Sequence, residues 1–155
     1  MIASQNKTKP DACAASIDRA WCWLFAAWLV ALAATLGALF AGEVMGQTPC
    51  VLCWYQRIFM FPLSIILAFA AFFDDRQVIR YAISLAVPGS LVALYHSLLY
   101  AGIVPERITP CTANGPSCSD ANMVMLGIPL PYLSLVSFTL IAVLLVASRR
   151  RKQNV

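Results

Sequence analysis

Charge is what this sequence has least of. Eleven basic and seven acidic residues make up 12% of the 155, while 61% are hydrophobic and the mean hydropathy is +0.75. A soluble domain is about 25% charged and about 45–50% apolar. A water-soluble globule of this length has no core large enough for so many apolar side chains. The same excess excludes a disordered chain, and the shortage of charge excludes a coiled coil. Histidine is almost missing as well, His96 being the only one, and no G-x-G-x-x-G run occurs. Haem ligation and a dinucleotide or flavin fold therefore have no signature here. Nor do aromatic and basic residues interleave in a patch, so nucleic acid is not an expected partner. What is left is an all-α integral membrane protein, in contact with lipid and built as one small bundle.

Crossing about 30 Å of hydrocarbon takes about 20 apolar residues in a helix. Four stretches meet that length, at about 21–41, 55–73, 78–101 and 128–147, leaving tails at 1–20 and 148–155 in a single domain over 1–155. The first exceeds the 7–15 residues of a signal-peptide core and three more follow it, so its retention is expected. Pro129 and Pro131 open the fourth span harmlessly, because the first N–H groups of a helix lack intrahelical partners. Pro88 in mid-span predicts a kink.

The few charges are sorted. Lys7, Lys9, Arg19, Arg76, Arg80, Arg149, Arg150, Arg151 and Lys152 fall on one side of a four-span layout, and only Arg57 and Arg107 on the other. The positive-inside rule places both termini in the cytoplasm and turns two loops outward, at about 42–54 and 102–127. The net charge of +4 is thus a topology signal. Trp54 and Tyr55 fit one interfacial aromatic belt, Trp21 and Trp23 the opposite one, and Glu43 reads as solvated surface.

Four of the six cysteines fall in the outward loops: Cys50 and Cys53, then Cys111 and Cys118. Disulfides persist on the outer side of a bacterial-type membrane, whereas Cys13 and Cys22 lie at the cytoplasmic end and read as plain thiols. Cys50 and Cys53, at i and i+3, meet on one side of a helical turn where the second span begins. Thiolates are favoured at a helix N-terminus. Arg57 follows Cys53 by four residues, on the same face, where a guanidinium would favour a thiolate and meet an oxygen-bearing ligand. The competing reading is an anchor reaching lipid headgroups. Cys111 and Cys118 flank an Asn114-Gly115-Pro116 turn and can close as a structural staple. No metal site is expected, since no histidine is close to these thiols in sequence and an oxidising compartment works against free thiolates.

Two outward dithiols on one small bundle suggest a relay, since disulfide exchange can hand electrons from one pair to the next. With no haem or flavin signature, a quinone dissolved in the membrane is the economical acceptor.

The run Cys50-Val-Leu-Cys-Trp-Tyr-Gln-Arg57-Ile-Phe-Met-Phe-Pro62 resembles the signature of the DsbB family, the protein-disulfide:quinone oxidoreductases, and within it the BdbC-like branch. Four spans, internal termini, a cysteine pair in each outer loop and Tyr95-His96 late in the third span extend the likeness over nearly the whole chain. The resemblance implies a bacterial inner-membrane enzyme that reoxidises a DsbA-like thioredoxin-fold oxidase and draws on the quinone pool, ubiquinone or menaquinone. Cys50 and Cys53 would be the quinone-coupled pair, with Cys53 nearest the ring and Arg57 holding or polarising the quinone. Cys111 and Cys118 would take electrons from the partner, Cys111 through a mixed disulfide and Cys118 by exchange with Cys50. Only six residues separate that second pair, fewer than in the best-known DsbB pattern, so the loop's movement does not carry over. His96 either serves a quinone oxygen as proton donor or packs as a hydrogen-bonded residue between helices. The segment 121–126 reads as an apolar lead-in to the fourth span. The alternative to catalysis is a four-span protein whose loops are merely stapled by structural disulfides.

Overall fold

The computed structural model describes residues 11–73, 77–104, 124–125 and 127–153. Cys111, Cys118, Arg76, Arg107 and most of the 121–126 segment lie outside the described residues, as do the side chains of Cys13 and Arg150–Lys152. Among the described residues four helices carry the fold: α1 (Asp11–Leu39), α2 (Val51–Phe73), α3 (Val78–Tyr100) and α4 (Leu130–Gln153). Four helical stretches are long and apolar enough to cross a membrane, at Ala20–Val44 (α1 and the turn that continues it), Val51–Phe73, Val78–Tyr100 and Leu130–Arg149.

Neighbours pack in a closed ring, α1 on α2, α2 on α3, α3 on α4 and α4 on α1. Small residues bring the helices together: Ala27, Ala31, Ala70, Ala82, Ala86 and Ala93 are wholly buried among Leu63, Leu67, Phe138, Ile141 and Leu145. Lipid tails are as apolar as leucine, so close packing replaces the hydrophobic drive that would join such helices in water. Large apolar side chains such as Ile65, Phe69, Leu91 and Val143 face outward, as a lipid-facing surface requires. α2 and α3 continue through Pro62 and Pro88.

Side chains at helix ends define the two poles. At one, Trp21 Nε1 donates to Ala71 O at 2.9 Å and Ser148 Oγ to Ala20 O at 3.1 Å. At the other, Ser97 Oγ donates to Pro131 O at 3.2 Å. At that second pole α1 ends in a π turn, Phe40–Val44. A two-residue hairpin leads into α4, Val124–Met125 (β1) pairing antiparallel with Ile128–Pro129 (β2). Gly127 closes it at φ 82°, a left-handed conformation that glycine adopts without a Cβ clash.

Candidate functional site

α2 begins at Val51, four residues before the hydropathy boundary, because Cys50 caps it. Cys50 O accepts from Trp54 N at 3.1 Å and Cys50 Sγ accepts from Cys53 N at 3.4 Å. The sulfur thus serves a donor that the first turn leaves without a backbone partner. Folding the C-x-x-C on this turn sets the two thiol sulfurs 2.9 Å apart, within hydrogen-bond distance. A disulfide needs about 2.05 Å, so oxidation requires little motion.

From α3, His96 comes up behind Cys50. Its Nε2 lies 3.8 Å from Cys50 Sγ, and its Nδ1 meets Gln56 Nε2 at 3.1 Å. Cys50, His96 and Gln56 are all buried. Two features depart from the sequence reading. A histidine does stand beside the cysteine pair, because α2 and α3 pack side by side and join residues 46 positions apart. Gln56, not singled out from the sequence, orients that ring. The signal was available: a lone amide in an apolar span, three residues after Cys53 and so on its face, is costly unless it faces a polar partner.

Cys53 differs from Cys50 in what it faces. It lines a cavity of about 440 Å³ walled by α1, α2, α4 and the 47–49 loop, whereas neither Cys50 nor His96 does. Gln56 and Arg57 lie on the same wall, above Met60 and Phe61 of the same helix, and the apolar lining continues through Val30 of α1 and Phe138 of α4. Arg57 is held by its surroundings: Nη2 donates to Ala38 O at 2.8 Å, and the guanidinium carbon sits 5.5 Å from the Trp54 ring centroid. Trp54 and Tyr55 are exposed on the first turn of α2, Glu43 is exposed on the π turn, and Cys22 is exposed toward the other pole.

The Cys50 thiol is pushed up to about 12, first by its hydrogen bond with Cys53 and then by burial, which His96 only partly offsets. Cys50 therefore keeps its proton at neutral pH. In the reduced protein, alkylation of Cys50 by a small neutral reagent should climb about tenfold per pH unit from about pH 7 to 9, as its thiolate fraction does. Peptide mass analysis reads the rate at Cys50 alone, and a plateau below about pH 9 would contradict the raised value.

Four spans, a dithiol at the head of one of them and an apolar cavity against the second sulfur define a membrane dithiol protein. The chain belongs to the DsbB family: the family model described as disulfide bond formation protein DsbB matches residues 19–148. A "probable disulfide formation protein" of Metapseudomonas resinovorans is 58% identical over 132 residues, covering 84% of this chain and 92% of the relative. One of the same description from Deinococcus radiodurans is 42% identical, covering 83% of this chain and 89% of the relative. "Disulfide bond formation protein C" of Bacillus subtilis is 37% identical, covering 85% and 96%. No solved structure matches. Membership gives this multi-pass membrane protein an oxidoreductase role in disulfide bond formation, together with a thiol-oxidase partner.

Proposed function

We propose that this protein reoxidises a DsbA-like thioredoxin-fold oxidase outside the cytoplasm and delivers the electrons to a membrane quinone. The observation that carries the reading is Cys53 on the wall of an apolar cavity, with its sulfur 2.9 Å from that of Cys50. The cavity suits a quinone in volume and in donors. Small-molecule sites run to about 300–1,000 Å³ with a few convergent polar groups. Here the guanidinium of Arg57 and the amide of Gln56 can donate to ring oxygens while the apolar lining takes the tail. The setting is a bacterial inner membrane with both termini cytoplasmic, which the distribution of Lys and Arg supports.

A quinone held there by Arg57 and Gln56 would supply the oxidising power, as an acceptor of two electrons and two protons. In balance, Cys50 and Cys53 lose two electrons and two protons and join as a disulfide. A thiolate of the Cys111/Cys118 pair then attacks the Cys50 sulfur, and Cys53 leaves as the thiolate facing the cavity. The remaining thiol of the loop pair displaces Cys50 in turn, closing Cys111–Cys118, which oxidises the partner's dithiol. His96 Nε2, at 3.8 Å, can return a proton to Cys50 as it leaves, while Gln56 holds the ring. Arg57 orients the acceptor.

The test is quinone reduction by the purified protein in detergent with a reduced DsbA-type partner, followed as loss of quinone absorbance. Turnover that requires both partner and quinone is expected. No turnover with either ubiquinone or menaquinone, on a folded protein with a competent partner, would favour loops stapled by structural disulfides. In the same assay, Arg57→Ala should raise the quinone KM at least about tenfold, since a charged hydrogen bond contributes about 1.5–3 kcal/mol. Its lost bond to Ala38 O, also charge-assisted, should cost about 1.5–3 kcal/mol of stability, so the kinetics are read on the folded fraction. Unchanged quinone kinetics would remove Arg57 from the site.

A further inference from the structure

We propose that the reduced dithiol centre is also a binding site for a soft divalent cation of the Zn²⁺ and Cd²⁺ class, held by Cys50 Sγ, Cys53 Sγ and His96 Nε2. This goes beyond the redox reading and stands without it. The three donor atoms all lie within 4.8 Å of one another. Two thiolates, one imidazole and one open position make a ligand set that zinc is known to take, with bonds of about 2.3 Å to sulfur and about 2.0–2.1 Å to nitrogen. Tetrahedral angles on those bonds set sulfur to sulfur about 3.8 Å apart and sulfur to nitrogen about 3.5 Å. The Cys50–His96 separation of 3.8 Å is already close, and the sulfurs at 2.9 Å need to part by roughly 1 Å. The third pair, Cys53 Sγ and His96 Nε2, lies within 4.8 Å, and rotation of the half-buried Cys53 side chain is the movement that sets both of its distances.

The surroundings complete the set. A metal-bound histidine is normally fixed through its other nitrogen, and Gln56 already sits 3.1 Å from His96 Nδ1. With Nε2 on the metal, Nδ1 carries the ring proton and donates to the amide oxygen of Gln56. The nitrogen and oxygen of that amide exchange places by a flip about one bond. The fourth position opens past Cys53 into the cavity, which admits a water. Binding releases two thiol protons to solvent, and a 2+ ion on two thiolates is neutral overall. Neutrality matters because Cys50 and His96 are buried, where net charge is expensive. No electrons move. Formation of the Cys50–Cys53 disulfide removes both thiolate ligands, so the site exists only in the reduced protein. The cation would therefore arrest the centre while electrons are waiting on it.

The experiment uses the full chain with Cys13, Cys22, Cys111 and Cys118 replaced by serine, reduced with a phosphine and titrated with Co²⁺, without quinone or partner. One Co²⁺ per chain is expected, with the intense visible bands of a tetrahedral site and a thiolate charge-transfer band, both displaced by Zn²⁺. The same chain oxidised to the disulfide should bind none, a control that needs no further substitution. Gln56→Leu should weaken binding about 10–100-fold, as removal of a group supporting a metal ligand does. A pale octahedral spectrum in the reduced protein would overturn the site. Tetrahedral bands that survive in His96→Ala unchanged would overturn the assignment of the histidine.

Discussion

Cys53→Ser is expected to abolish quinone reduction, lowering turnover at least about 10³-fold, within the range that loss of a nucleophile produces in other enzymes. The serine hydroxyl is close to isosteric but cannot form a disulfide, so no oxidised state remains for the loop cysteines to exchange with. Folding should be intact, because Cys53 is only half-buried and its backbone N–H, which caps onto Cys50 Sγ, is kept. Cys50→Ser should be equally inactive but should differ in one respect. It leaves a thiol on the cavity wall, so Cys53 should still be alkylated by an apolar maleimide and protected when the cavity is filled by a quinone analogue. Cys22→Ser is the control, since Cys22 is exposed and lies on α1 beside the opposite pole. Measuring quinone loss and partner oxidation together separates the two ends of the relay. Turnover retained in Cys53→Ser would transfer the acceptor's contact to another group.

The sequence showed the architecture because hydrocarbon imposes it. A chain that must satisfy its backbone inside a bilayer has few options beyond helices of about 20 apolar residues. The Cys50/Cys53 pair was equally legible, since a three-residue spacing has one geometry on a helix. Where α2 begins was not, because hydropathy does not register a sulfur capping a helix, and the boundary moved from about Tyr55 to Val51. The π turn at Phe40–Val44 is likewise invisible to hydropathy, yet it lies just beyond the carbonyl of Ala38 that holds Arg57. His96 could be read two ways because its partners lie on α2, about 40 positions away, and only the packing of α3 on α2 brings it to Cys50 and Gln56. The spacing of Arg57 after Cys53 suggested a direct effect on the thiolate. What the spacing did not announce is that the guanidinium also donates to Ala38 O and sits 5.5 Å from the Trp54 ring centroid.

Gly89→Ala is expected to be the most damaging small substitution in the bundle. A Cβ at this position would lie 2.3 Å from Phe138 Cε1 and within 2.8 Å of two more atoms of the ring. Phe138 is wholly buried in the core, so its ring can retreat only toward the cavity it lines. Relief beyond that requires α3 and α4 to separate along a contact whose closeness depends on the missing side chain. Overpacking of this kind costs typically about 1–3 kcal/mol, and this site belongs at the upper end. The loss should appear as a lower unfolding midpoint in detergent. The cause can be isolated: Phe138→Leu alone leaves a void and destabilises, but combined with Gly89→Ala it gives the methyl a place to go. The double variant should therefore be more stable than the sum of the single losses allows. Additive losses would mean that the two residues do not compete for the same space. Because Phe138 also lines the cavity beside Cys53, whatever motion the ring does make is at the cavity's expense. The folded fraction of Gly89→Ala should accordingly show a raised quinone KM with its Cys50–Cys53 chemistry unchanged, linking helix packing in mid-membrane to the oxidising end of the relay.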